Sequence, residues 1–330
     1  MGIMTKTDVG SAQVRVLRSL HVAGILLFRV QVSDTYAHRR YRFERRLVRA
    51  FTGFMEDYLR RHPEMEFEHR LNITRVLTYL PPAMKVWRNY VPGGIATYHV
   101  HSPHKRKMPS GHKLDLITRG FFRHSVDGVG LRSRAKILEL LATNYILQNT
   151  GSVSWLSIAG GSGQPVYDAC LNMSEDDRKR IHLSLVDIDQ TIVLFAKKIY
   201  LEEEVGLSTV EFKRLDILNK ASRSQLLKEL KPQIIDCMGI FEYLPNEKAS
   251  ELLAALYEEL PPAGRIIFTN MSPAHPHLNV HQRALGWPGV IQRTIHDVAE
   301  LIDSANIPRH VTSVYRAEDN VYNVYMVERP

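Results

Sequence analysis

The sequence predicts an α/β protein: a doubly wound, mostly parallel sheet closing in a C-terminal antiparallel hairpin, preceded by a helical N-terminal domain. Three observations carry this reading. From residue 151 onward, short apolar runs alternate with helical stretches. The first run, within SWLSIAGGSGQP (residues 154–165), stops abruptly at Gly160, Gly161 and Gly163. Before residue 130, apolar residues recur at steps of three and four over long stretches. The division expected is residues 1–130, a helical lid or substrate domain, and residues 131–330, the sheet domain.

Composition narrows the class. The chain has 330 residues, 44% of them apolar, enough for two cores. Its net charge of +8 hides an asymmetry. Residues 1–150 hold 25 Lys and Arg against 11 Asp and Glu, and residues 151–330 hold 18 against 24. A basic half can attract nucleic acid. In YAHRRYRFERRLVRAFTGF, however, the aromatics fall at helical spacing, so a nucleic acid is not the expected partner. VAGILLFRV (residues 22–30) is too short to span a bilayer, and no small-residue cleavage site follows it. Cys170 and Cys237 sit in apolar surroundings and read as buried free thiols. A cytoplasmic protein with no membrane partner is expected, and the oligomeric state is left open.

Taken in order, residues 14–61 show helical spacing with almost no glycine or proline. A shorter helix is expected over about residues 68–79, and 91–113, rich in Pro, Gly, Ser and His, reads as a long loop. A helix over roughly residues 132–148 leads into the glycine turn. The expected strands are VSWLSIA, IHLSLVDID, VEFKRLDI, QIIDCMGI and GRIIFTNMS, with helical segments between them. HVTSVYRAED and VYNVYMVER then form the closing hairpin.

In a doubly wound sheet, ligands bind at the carboxyl ends of the strands, where strand order reverses. The turn of Ala159, Gly160, Gly161 and Gly163 belongs there, since glycine permits close backbone approach and the next helix offers N–H groups. Asp187 ends the second strand, where an acid can hold the two hydroxyls of a ribose, with Asp189 beside it. Asp216 ends the third strand, and Gly239 and Glu242 follow the fourth in DCMGIFEYLP.

This ordered series resembles the class I S-adenosylmethionine (SAM)-dependent methyltransferases over about residues 132–330. GIFEYLP, with NMSPAHPHLNV after the fifth strand, is similar to bacterial small-molecule methyltransferases of the extracellular-factor (fatty-acid methyl ester) type. The resemblance implies SAM cradled by Ala159, Gly160, Gly161 and Gly163, ribose on Asp187 and the adenine amine near Asp216. Ala159 stands where the family has its first glycine, and Ser157 where it has an acid. A NAD-type Rossmann domain, the rival within the same Rossmann-like class, wants a third glycine that Gln164-Pro165 does not supply.

A methyltransferase must place a nucleophile in line with the methyl group and exclude water, so it needs little acid–base machinery. Arg132 is placed to reach the SAM carboxylate; Asn144, Tyr145, Tyr167 and Glu242 are the candidates for the reacting end. His275, His277 and His281 form no recognised metal spacing, and no metal is expected. The expected activity is methyl transfer to a small-molecule acceptor in natural-product biosynthesis. The related SAM-cyclising azetidine-2-carboxylate synthases, which release methylthioadenosine, are the alternative. An RNA methyltransferase or a non-catalytic SAM-binding protein is the third possibility.

Overall fold

The computed structural model describes residues 13–330. In chain order it contains β1 (Val14–Val22), β2 (Ile25–Val32), α1 (Arg42–Arg61), α2 (Val76–Tyr79), α3 (Pro82–Trp87), α4 (Gly94–His101), α5 (Leu116–His124) and α6 (Val126–Gln148). There follow β3 (Val153–Ile158), α7 (Gln164–Leu171), α8 (Glu175–Arg178), β4 (Ile181–Asp187), α9 (Gln190–Glu202), β5 (Thr209–Arg214), α10 (Lys220–Leu230) and β6 (Ile234–Cys237). The chain ends with α11 (Asn246–Glu259), β7 (Arg265–Met271), α12 (Ile295–Ser304), β8 (Thr312–Ala317) and β9 (Tyr322–Glu328). It forms two units. Unit 1 takes the chain up to Val32, Arg134–Pro273 and Val290–Pro330; unit 2 takes Ser33–Ser133 and Ala274–Gly289.

Unit 1 is built on one nine-stranded sheet of order β1-β2-β8-β9-β7-β6-β3-β4-β5. From β5 to β7 all neighbours are parallel, and β9 then runs antiparallel to both β7 and β8. Strand order reverses between β3 and β6, the switch point at which such sheets bind ligands. Leu156, Ile158, Ile235, Ile266 and Phe268 alternate onto one face. There they are buried with Leu226 of α10, Leu252 and Leu256 of α11, and Val298 and Ile302 of α12. Each such side chain taken from water contributes roughly 1.5–3 kcal/mol. Cys170 and Cys237 are buried and unbridged.

The helix expected over residues 14–61 is corrected at its start. Residues 14–32 form the antiparallel β1–β2 hairpin, and β2 continues the sheet parallel to β8. Ala23 and Gly24 turn the hairpin with φ of 52° and 77°. The closing β8–β9 hairpin therefore lies inside the sheet, not at its edge. The loop expected at 91–113 also contains a helix, α4.

In unit 2, α1 holds the segment that follows β7. The buried Glu56 carboxylate accepts from Asn279 Nδ2 at 2.7 Å and from Val280 N at 3.0 Å. Arg283 donates to Leu59 O at 2.9 Å and to His62 O. These contacts fix a π-helical turn, Val280–Ala284, a form that often marks functional segments.

Candidate functional site

β3 delivers the chain into a turn whose backbone alternates into the left-handed region at Ala159, Gly161 and Gly163 (φ 50°, 56° and 72°). A side chain at Gly163 would meet the Tyr167 ring at 2.4 Å and Leu185 at 2.8 Å, so the turn lies flat on α7 and β4. Pro165 sits in the first turn of α7, where its missing N–H is harmless.

Across the turn, Gly161 N donates to Asp187 Oδ2 at 3.2 Å, and Asp189 N donates to Oδ1 at 3.1 Å. The Asp187 carboxyl is half-buried, which pushes its pKa up, while those two N–H groups pull it back. Asp189 caps α9 by accepting from Thr191 N at 2.7 Å. Asp216 is exposed after β5 and accepts from Leu218 N at 2.9 Å. Ile188, 61% exposed, directly follows Asp187, and Leu218, 38% exposed, follows Asp216 by two residues; an exposed apolar residue just after a strand-end acid is a usable sequence signal. Acceptors flanked by apolar surface suit a nucleoside: hydroxyls and an amine for the carboxylates, a flat base for the side chains.

Gly239 follows β6, and the side chain nearest the place of its absent Cβ is the Arg134 guanidinium, at 3.8 Å. Arg134 lies 3.7 Å from Glu242 and 4.4 Å from the centre of the Tyr322 ring. All three belong to unit 1, and Arg134 Nε is buried without a hydrogen-bond partner. Arg132 is elsewhere. It donates to both Asp34 oxygens, at 2.9 and 3.1 Å, and to the carbonyls of Val100, Phe122 and Arg123. These contacts engage every N–H of its guanidinium. Two residues apart on a helix, Arg132 and Arg134 face different ways.

Two candidates for the reacting end are placed away from this turn, and a third is buried beneath it. Asn144 and Tyr145 lie in the last turns of α6, and the Arg265 guanidinium covers the Tyr145 ring at 5.3 Å. Arg265 is the first residue of β7, so this is the amino end of the parallel strands, opposite the glycine turn. Tyr167 is fully buried and donates its hydroxyl to Ala196 O at 3.0 Å. Burial pushes that hydroxyl far above its usual pKa, and it supports the turn from beneath.

Unit 2 holds an acid–imidazole cluster. Asp127 Oδ1 lies 3.1 Å from His275 Nε2 and 2.8 Å from His281 Nδ1. His277 N donates to His275 Nδ1, which directs the His275 Nε2 proton to Asp127. Burial pushes the Asp127 carboxyl up, but the His281 and His275 imidazoles outweigh it and hold the carboxyl well below the usual range. Trp287 packs on the His281 ring at 5.2 Å.

A doubly wound sheet with strand-end acids at its switch point fits the class I SAM-dependent methyltransferases. The chain belongs to the family described as "Putative methyltransferase", whose model matches residues 105–314, more than half of the chain. No curated protein matches the sequence. Among solved structures, the chain is similar to a Bordetella parapertussis protein described as a possible exported protein. That match has a TM-score of 0.57 at 11% identity, covering 91% of this chain and 100% of the other. It is also similar to the SAH-bound magnesium protoporphyrin IX methyltransferase of Synechocystis PCC 6803 (TM-score 0.49, 14% identity, 74% and 99% covered). An O-methyltransferase family protein of Burkholderia thailandensis gives a TM-score of 0.42 at 13% identity, with 60% of each chain covered. At such identities the first match shows the fold.

Proposed function

We propose that this chain transfers a methyl group from SAM to a small-molecule acceptor of natural-product type, in the cytoplasm. The observation that carries the reading is the Gly161–Asp187 contact, a backbone N–H and a half-buried carboxylate converging at the switch point, where sheets of this kind take their ligands. When bound, SAM supplies an electrophilic methyl carbon on a sulfonium. Ala159–Gly163 form its cradle. Asp187 accepts from the ribose hydroxyls, Ile188 and Leu218 flank the base, and Asp216 accepts from its amine. Arg134, not Arg132, is the arginine suited to the carboxylate, supported by its unpartnered Nε beside Gly239. Glu242 orients Arg134. Within unit 2, the Asp127–His281 pair is chemically able to accept a proton from an O–H or N–H group.

No observation favours the cyclising alternative. Buried free thiols at Cys170 and Cys237 suit a reducing compartment. The test is chromatography of SAM incubated with the protein alone. Without an acceptor, almost no SAM is expected to be consumed; enzyme-dependent release of methylthioadenosine would overturn the reading.

A further inference from the structure

Unit 2 carries a surface that its own packing does not use. Helix α1 has three faces. Thr52, Met55, Glu56 and Leu59 are buried. Phe43, Leu47, Phe51 and Phe54 follow one another at steps of four, four and three, so they form a strip along one side. All four are exposed, between 42% and 79%. Arg42, Arg46 and Arg49 form the third face, with Arg39 and Arg40 just before the helix, and all five are exposed.

Helix α5 carries further exposed apolar residues of unit 2. It packs on α1 where Glu44 meets Arg123 at 2.6 Å. About two turns before that contact it presents Leu116 and Ile117, 75% and 66% exposed. A contiguous apolar surface of this kind marks an interaction site, whereas single exposed apolar residues do not.

The chemistry of the rim selects the occupant. The acids of α1 are compensated or buried: Glu44 by Arg123, Asp57 by Arg60, and Glu56 inside unit 2. The surface around the strip is therefore cationic. A second copy docking by the same face would bring two arginine clusters together. The strip lies on the outside of a helix and is about 17 Å long, from eleven steps of about 1.5 Å each. An exposed apolar helix face bordered by arginines fits a deformable anionic plane, in which phenylalanine and leucine enter the acyl boundary and guanidinium groups meet phosphates. No described helix is long and apolar enough to cross a membrane, so α1 would lie in the interface plane.

We infer that the Phe43–Phe54 face of α1, with Leu116 and Ile117, docks this protein on a bilayer surface carrying anionic phospholipid. The inference is independent of the SAM reading. The test is co-sedimentation of the full chain with vesicles of phosphatidylcholine, with or without an equal part of phosphatidylglycerol. Binding to the mixed vesicles is expected, and at least about tenfold weaker binding to phosphatidylcholine alone. Phe43→Ser with Leu47→Ser should weaken binding to mixed vesicles by about tenfold or more, with an unchanged unfolding midpoint. Leu194→Ser with Leu201→Ser, equally exposed but on α9, should leave it intact. Three results would overturn the inference. One is no sedimentation with mixed vesicles. The second is full binding by the Phe43/Leu47 variant, which would indicate plain phosphate attraction, as for a nucleic acid. The third is a dimer that this variant dissociates and that vesicles do not compete with.

Discussion

Ser157 of β3 and Asp236 of β6 are register partners across the switch point, and the Ser157 hydroxyl donates to Asp236 Oδ1 at 3.1 Å. Trp155 Nε1 donates to the other oxygen at 2.7 Å. Class I methyltransferases are expected to have an acid at the Ser157 position. Here a carboxyl reaches the same place from the neighbouring strand, but it is wholly buried. Burial pushes its pKa up to about 7, against the two hydrogen bonds that stabilise the anion.

The sign of the resulting pH effect follows from linkage. In the unfolded chain Asp236 gives up its proton near pH 4, while in the folded protein it keeps it until about pH 7. Stability from the neutral carboxyl is thus complete below pH 4 and lost as pH rises toward 7. Asp236→Asn keeps an acceptor for Trp155 and cannot ionise. Between pH 4 and 8, wild type should lose on the order of 4 kcal/mol relative to the variant. Denaturant unfolding at several pH values measures this, and parallel curves for the two proteins would refute it.

Gly163 is held by geometry on two counts, a φ of 72° and a Tyr167 ring where its Cβ would stand. Gly163→Ala should cost about 2–4 kcal/mol, from backbone strain and overpacking together. Tyr167→Phe keeps the ring and loses only the bond to Ala196 O, so about 1 kcal/mol is expected. Thermal unfolding orders the two. A Tyr167→Phe variant that loses turnover without losing stability would return Tyr167 to the reacting end.

The parallel strands were legible because strands buried on both faces read as unbroken apolar runs, and Asp187 was legible because its strand ends on it. The β1–β2 hairpin was not. Its dense apolar residues satisfy spacings of two and of three to four alike, and its sheet partner, β8, is some 280 residues further on, a distance no local pattern spans. Asn144 and Tyr145 misled for a topological reason. Nearness in sequence to the first parallel strand places a residue at that strand's amino end, whereas ligands bind at the carboxyl end. Between Arg132 and Arg134 the sequence offered no discriminator, because what decides is a pair of distant partners, Asp34 and Glu242.

Those two arginines should separate experimentally. Arg132→Gln strands the Asp34 carboxylate and several carbonyls, so stability should fall by about 3–5 kcal/mol while SAM affinity stays within about twofold. Arg134→Gln should weaken SAM binding by about tenfold or more, the loss of one charged hydrogen bond, with a smaller effect on unfolding. Calorimetric titration beside thermal unfolding gives both readouts. If the Arg132 variant loses SAM affinity and the Arg134 variant does not, the carboxylate assignment reverses.

Asp187 and Asp189 make the most direct test of the cofactor site, since they are two residues apart and do different work. Asp187 accepts from Gly161 N and faces the turn; Asp189 caps α9. Asp187→Asn keeps an acceptor for Gly161 but removes the charge that ribose hydroxyls donate to, so SAM should bind about 10–100-fold more weakly. Asp189→Ser replaces one helix cap with another, and affinity should change by about twofold or less. Because burial raises the Asp187 pKa, wild-type binding should begin to weaken at a higher pH than an ordinary carboxylate would dictate as the solution is acidified. The Asn variant should lack that pH dependence. Calorimetry of both variants with SAM over an acid-to-neutral series checks each point. Equal losses from both substitutions, or undiminished binding by Asp187→Asn, would remove the ribose from Asp187.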